Sequence, residues 1–135
     1  MFNCENPSDG LNQNESASIC LYTMGWEPRQ RCLYYVLNAT LRNENRNKLK
    51  PWFSYLKLIL TAPHKIPSEK AKIWRGATLN LSRQYEIRKG YVWWAFSSCT
   101  RALNVLESDQ FLGKYGPRTL FNIECRNTKS IQSHS

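Results

Sequence analysis

Two short apolar stretches of the sequence each end in polar groups that could bind a ligand. Residues 72–77 contribute Arg75 and Gly76, and residues 91–100 end in a cluster of hydroxyl groups. A guanidinium donates paired hydrogen bonds to a phosphate, and hydroxyls can bond to a sugar. If the two stretches are strands of one sheet, they present these groups at one edge of it. The pattern therefore predicts a site for a phosphorylated ligand.

Each of these groups also has a simpler interpretation. An arginine at the end of a strand is commonly a solvated edge residue, and Thr100 could serve only as the cap of a short helix over residues 101–107. Gly76 favours a ligand, because a residue without a side chain lets a ligand approach the backbone closely. Arg75 and the hydroxyl cluster are therefore the candidate site.

The composition is that of one folded domain with a positive charge. The 135 residues include 41% hydrophobic and 13% aromatic residues, which is enough for a core. The formal net charge is +9, but the lysines and arginines are scattered along the chain. Scattered charge is typical of solvated surfaces with a general attraction for anions. It argues against nucleic acid as a partner and suits an anionic dinucleotide.

Several common kinds of enzyme site lack support in the sequence. It contains no P-loop and no GxGxxG motif. The five cysteines are odd in number and form no CxxC pair, so neither a zinc site nor a complete disulfide framework is indicated. His64 follows Pro63 in an expected loop, His134 is almost terminal, and neither has a carboxylate or nucleophile partner by spacing. We therefore expect no Ser-His-Asp site and no metal.

The sequence shows no targeting signal. The first residues include neither a basic segment nor an apolar one, so we expect no signal peptide, and no apolar run reaches the length of a membrane span. Glycosylation sequons at Asn14, Asn38 and Asn80 would matter only on a secretory route, and Asn38 is expected in the middle of a helix. By default we expect a cytoplasmic protein without a membrane span.

The first half of the chain predicts helices behind a flexible arm of residues 1–13. Helical spacing of apolar residues and flanking caps and prolines predict three helices, over residues 14–24, 28–41 and 51–63. Asn12 or Asn14 would cap the first helix, and Pro63 would end the third. These segments form a helical part over residues 14–66.

The second half predicts a β-rich part over residues 71–135. Strands are expected over residues 72–77, 91–98 and 118–125, with a further strand starting at Ile131, and a short helix or turn is expected over residues 79–90. Residues 91–98 are apolar on both faces, which predicts a central strand. Helices followed by strands make the fold class α+β.

A resemblance to a known family covers residues 14–135 in unbroken order. It is carried by Leu21-Tyr22-Thr23-Met24, Trp26-Glu27-Pro28, Leu33-Tyr34-Tyr35, residues 49–57, Ile73-Trp74-Arg75-Gly76, residues 92–100, Phe111-Leu112-Gly113 and residues 119–125. In these segments the chain resembles the arginine-specific mono-ADP-ribosyltransferases. The resemblance implies an ADP-ribosyltransferase domain over residues 14–135, with a split, two-sheet NAD-binding core behind a helical layer.

The resemblance also implies roles for individual residues. Arg75 would contact the phosphate or ribose of NAD, and the backbone of Gly76 would hold the nicotinamide amide. Ser98 would take the role of the family's key serine, with Thr100 keeping a hydroxyl where the family has a second serine. Phe111 would pack against the nicotinamide. The implied substrates are NAD or NADP and an acceptor protein that bears arginine, with no metal.

The third element of the family's Arg–Ser–Glu signature has no match in the sequence. The resemblance places a Glu-x-Glu pair a few residues beyond Ser135, and neither Glu107 nor Glu124 lies in such a pair. A carboxylate stabilises the positive charge that develops on the ribose as nicotinamide leaves. We therefore expect NAD binding with transfer reduced by about 10²–10³.

Two other functions remain open from the sequence. One is a basic nucleic-acid-binding module without enzymatic activity, in which exposed Trp93 or Trp94 would stack on bases. The other is an inactive scaffold that binds partners through its helical half. A response to NAD distinguishes the leading hypothesis from both.

Overall fold

The structure, a computed structural model, describes residues 5–108 and 112–135. It consists of two compact units, which we call the helical unit (Met1–Ser68 with Lys129–Ser135) and the sheet unit (Glu69–Thr128). Within these residues, three α-helices and a two-stranded antiparallel sheet confirm the α+β class. Among these described residues, no helix is long and apolar enough to cross a membrane.

Helix α1 (Gln13–Thr23) begins where its local sequence predicts. The Asn12 side chain accepts a hydrogen bond from the Glu15 backbone N–H at 2.9 Å, and the Glu15 carboxylate accepts one from the Asn12 backbone N–H at 2.9 Å. This reciprocal capping box satisfies two backbone donors that the first helical turn leaves unpaired. The predicted helix and its Asn12 cap are confirmed.

Helix α2 (Leu33–Arg42) starts later than predicted. The segment after Pro28 forms only a short 3-10 turn, Arg29–Arg31, because Cys32 has an extended ψ of 142° that interrupts the helical path. The thiol of Cys32 is buried and lies 3.2 Å from both the backbone nitrogen and the carbonyl oxygen of Trp26. These bonds fix the break between the turn and the helix.

Helix α3 (Phe53–Lys65) follows a 3-10 helix, Arg46–Trp52, and runs through Pro63. The prediction that Pro63 ends the helix was wrong, and His64 lies in the last helical turn rather than in a loop. A proline in a helix removes one backbone hydrogen bond, and within the last turn few further bonds depend on it.

The helical unit packs around a small core, and an ion pair and a hydrogen bond connect its segments. Lys65 Nζ on α3 lies 2.8 Å from Glu15 Oε2 on α1, and Lys129 Nζ donates to the Ile66 carbonyl at 2.6 Å. The predicted strand from Ile131 was wrong, because the chain forms a 3-10 turn over Gln132–His134. The buried apolar side chains include Leu11, Ile19, Cys32, Leu37, Leu49, Ile59, Ala62 and Ile66.

The sheet unit is built on strands β1 (Glu69–Ala77) and β2 (Thr119–Thr128). They pair antiparallel, with Arg75 opposite Phe121 and Gly76 opposite Leu120. Side chains alternate along a strand, so Arg75 and Phe121 share one face. The strands predicted over residues 72–77 and 118–125 are confirmed, and each is longer than predicted.

The predicted central strand over residues 91–98 was wrong. This segment has no regular structure, and it reaches the sheet through one antiparallel bridge between Trp74 and Thr100, with N–O distances of 2.7 and 2.9 Å. Val92 and Trp94 are each 69% exposed. Aromatic and β-branched residues indicated a strand, but a central strand also needs a partner on each side.

The described residues therefore form one sheet, of two strands. Between β1 and β2 in sequence, the described residues form two 3-10 helices, Ser82–Gln84 and Leu103–Glu107. The first falls within residues 79–90, where a short helix or turn was predicted. The second replaces the predicted helix over residues 101–107, and the Thr100 hydroxyl accepts a hydrogen bond from the Ala102 backbone at 3.1 Å, just ahead of it.

Candidate functional site

Arg75 lies half-buried on β1, and its guanidinium is held on two sides. Its Nη1 donates a hydrogen bond to the hydroxyl oxygen of Ser97. Its Cζ lies 4.6 Å from the centre of the Trp93 ring, which is cation–π geometry. These contacts fix the orientation of the guanidinium plane before any ligand arrives.

The positive charge of Arg75 is not neutralised by the rest of the described chain. The ion pairs within residues 5–108 and 112–135 involve other cations, and none places a carboxylate within 4.0 Å of Arg75. A half-buried charge without an opposite charge is costly unless another partner compensates it. The site is therefore suited to an anion.

The Trp93 ring belongs to a group of four aromatic side chains, which we call the aromatic wall: Tyr85, Tyr91, Trp93 and Phe121. Phe121 contacts Trp93 edge to face at 5.4 Å and Tyr85 at 5.0 Å between ring centres. Trp93 Nε1 donates a hydrogen bond to the Tyr85 hydroxyl at 2.8 Å. Such packing limits the motion of Trp93 and, through it, of Arg75.

Only part of the hydroxyl cluster contacts Arg75. Ser97 contacts Arg75, whereas Ser98 is exposed and the Thr100 hydroxyl bonds to the local backbone at Ala102. The sequence pointed to Ser98 and missed the contact of Ser97. The sequence gives no local signal for this contact, because it depends on the bridge between Thr100 and Trp74, which forms only in the fold.

Cys99 also lies near the guanidinium. Burial raises the pKa of the Cys99 thiol, the positive charge of Arg75 partly opposes this rise, and the nearby Cys125 adds to it. A raised pKa favours the neutral thiol, so Cys99 leaves the charge of Arg75 intact.

Gly76 is needed for packing. A Cβ atom at this position would overlap the side chain of Leu112. The space that the glycine leaves free on this side is therefore filled by Leu112. Phe111, the candidate nicotinamide contact, lies outside the described residues.

A second polar cluster lies in the helical unit around His134, whose side chain has no exposed surface. Its Nε2 lies 3.1 Å from Asp9 Oδ2 and 3.3 Å from Ser8 Oγ, and its Nδ1 lies 3.2 Å from Ser16 Oγ. The sequence-based expectation that His134 lacks such partners was therefore wrong. Ser16 is only 2% exposed, so no substrate reaches its hydroxyl and the cluster is a structural connection.

Metal ligands do not cluster in the part of the chain that the structure describes. Within it, no group of three or more His, Cys, Asp and Glu side chains could hold a metal ion.

Comparison with known proteins adds no relative. No protein-family model, no curated protein and no solved structure matches this chain. The resemblance to the arginine-specific mono-ADP-ribosyltransferases therefore rests on the quoted motifs.

Proposed function

We propose that the sheet unit binds NAD or NADP through Arg75 and that the chain is an arginine-specific mono-ADP-ribosyltransferase with a weak transfer step. The observation that supports this most is the guanidinium of Arg75, held by Trp93 and Ser97 and left without a carboxylate among the described residues. The diphosphate of a dinucleotide supplies the opposite charge in a geometry that a guanidinium can bond with two parallel N–H groups. We also propose that the sheet unit belongs to a split, two-sheet core of the ADP-ribosyltransferase type.

The other site residues are proposed to act on the nucleoside ends of NAD. Ser98 is exposed and can bond to a ribose hydroxyl without breaking a contact of Arg75. Thr100 is joined to Trp74 of β1 by a backbone bridge, so it lies next to Arg75, and we propose that it contributes to the same ribose end of the site. The Gly76 backbone would hold the nicotinamide amide, and Phe111 would pack against the ring.

The proposed reaction transfers ADP-ribose to an arginine of an acceptor protein. The bond between the ribose C1′ and the nicotinamide nitrogen breaks, and nicotinamide leaves with the electron pair. A nitrogen of the acceptor guanidinium forms a new bond to C1′ and releases a proton. Positive charge develops on the ribose during this exchange, and a nearby carboxylate would stabilise it. No described carboxylate lies at Arg75, so we propose slow transfer.

Transfer of a labelled ADP-ribose group tests the reaction. The chain is incubated with NAD labelled in its adenylate half and an arginine-rich polypeptide, beside the Arg75→Ala variant and an Arg126→Ala control. We expect slow labelling by the wild type and the control, and a loss of about 10-fold or more in Arg75→Ala. Rapid labelling would contradict the account of the missing carboxylate, and no labelling by any form would contradict the proposed transfer.

Nucleic-acid binding is the second candidate, and one observation favours it. Trp94 is 69% exposed and free to stack on a base, whereas Trp93 is packed in the aromatic wall. Affinity for single-stranded DNA or RNA would then fall steeply with salt and depend on Trp94, with no effect of NAD. Weak binding of nucleic acid whose affinity is unchanged in Trp94→Ala would rule out this candidate.

A further inference from the structure

The three glycosylation sequons of the chain lie in different structural settings. Asn14 is in the first turn of α1, Asn38 is inside α2, and Asn80 is in the loop that follows β1. In a folded protein, a sequon can be modified only where its asparagine and its hydroxyl-bearing residue are both accessible at the surface. The settings therefore decide which sequon the folded protein can offer.

Asn80 is exposed at the centre of a short turn that the sheet holds in place. The Thr119 hydroxyl, at the start of β2, donates to the Leu79 carbonyl at 2.7 Å and accepts from the Leu81 backbone N–H at 2.9 Å. These two bonds flank Asn80 on either side. The turn is thus anchored by the backbone while the asparagine side chain stays at the surface.

The hydroxyl of this sequon lies against the asparagine amide. Ser82 donates to Asn80 Oδ1 from its hydroxyl at 2.7 Å and from its backbone nitrogen at 3.1 Å, which is an Asx turn. Both bonds go to the amide oxygen. In the described part of the chain, the Asn80 amide nitrogen donates no hydrogen bond, so it can react without breaking one.

The other two sequons fail one of these conditions in the folded protein. Asn38 is 9% exposed and its amide nitrogen donates to the Tyr22 hydroxyl at 2.9 Å. Asn14 is exposed, but the hydroxyl of its sequon belongs to Ser16, which is buried against His134. Only the turn at Asn80 presents both groups together.

We propose that, on a secretory route, Asn80 is the asparagine of the folded protein that accepts an N-linked glycan from a lipid-diphosphate-linked oligosaccharide. In the transfer, the Asn80 amide nitrogen forms a bond to C1 of the first sugar and gives up one proton to a base. The bond between that C1 and the diphosphate oxygen breaks, and the lipid diphosphate leaves with the electron pair. No oxidation or reduction takes place.

The test uses the folded 135-residue chain, a purified single-subunit oligosaccharyltransferase that needs only the Asn-x-Ser/Thr sequon, and its lipid-linked oligosaccharide. We expect a mass increase of one glycan on the wild type, removable by a peptide N-glycosidase and mapped to the peptide that contains Asn80. Asn80→Gln and Ser82→Ala are expected to lose the addition, and Ser82→Thr to keep it. Circular dichroism of each variant checks its fold.

The matched control is Asn14→Gln, which we expect to be glycosylated as the wild type is. Addition of a glycan that persists in Asn80→Gln would overturn the proposal. So would an unmodified wild-type chain in a reaction in which a short peptide with the sequence of residues 78–84 is glycosylated.

Discussion

At the scale of single residues, the feature that matters most is how Arg75 is held. An aromatic ring and a hydroxyl orient the guanidinium, and no described carboxylate neutralises it. Arg75 could be predicted as a candidate from the sequence, because an arginine followed by a glycine at the end of a strand is a local pattern. It could not predict which serine touches the arginine, because that choice depends on the bridge between Trp74 and Thr100.

Ser97 and Ser98 are expected to act in different ways, and a double-mutant cycle with Arg75 separates them. Ser97→Ala removes a hydrogen bond that orients Arg75, so its effect on NAD affinity, about 3–10-fold, should vanish in an Arg75→Ala background. Ser98→Ala removes the proposed contact to the ribose and should keep its effect in that background. Calorimetric NAD titration measures both. Equal coupling of the two serines to Arg75 would contradict the proposed division of roles.

At the scale of elements, local signals predicted well and long-range ones did not. The Asn12 cap and helical spacing of α1, and the strand-forming residues of β1 and β2, lie within short stretches of sequence, so those elements were found. Residues 91–98 have the composition of a strand but lack partners on both sides, which no local pattern reveals. His134 and its partners Asp9 and Ser16 are distant in sequence and meet only in the fold.

The ion pair that joins α1 to α3 predicts a dependence of stability on pH. The hydrogen bond from Lys65, and then the backbone bond from Asn12, hold the pKa of Glu15 below its usual value of 4.5. A carboxyl with a lowered pKa in the folded state stabilises the protein above its unfolded pKa, and that contribution is lost as pH falls below about 4.5.

Denaturant unfolding at pH 7 and at pH 3 measures this contribution. We expect Glu15→Gln to unfold at a lower denaturant concentration than the wild type at pH 7, with the difference shrinking at pH 3. Glu44→Gln is the matched control, because Glu44 is exposed and forms no ion pair within the described chain. A difference for Glu15→Gln that is the same at both pH values would rule out this origin.

The His134 cluster predicts a second effect on stability. His134→Ala leaves the buried Ser16 hydroxyl and the Asp9 carboxylate without the ring that bridges them. The unmet hydrogen bonds should lower the free energy of unfolding by about 1–3 kcal/mol. The same change at His64, which is exposed in the last turn of α3, should have an effect near zero. Similar effects at both histidines would show that the cluster contributes no stability.

At the scale of the whole molecule, the net charge of +9 sets a general attraction for anions that every binding experiment must separate from the site. The affinity of a specific site changes little when one distant charge is removed. Affinity that comes from general attraction falls by a similar amount whichever charge is removed. The fold class was predictable because helices and strands segregate along the chain. The arrangement of the sheet was not, because it depends on which strands find partners.

The most direct measurement is a calorimetric titration of NAD into the wild type, Arg75→Ala, Arg75→Lys and Arg126→Ala. Arg126 is an exposed arginine of β2 and serves as the matched loss of one charge. We predict that Arg75→Ala weakens NAD binding by about 10–100-fold, that Arg75→Lys restores only part of it, and that Arg126→Ala binds as the wild type does. Equal affinities for the wild type and Arg75→Ala, or equal losses in Arg75→Ala and Arg126→Ala, would contradict a site at Arg75.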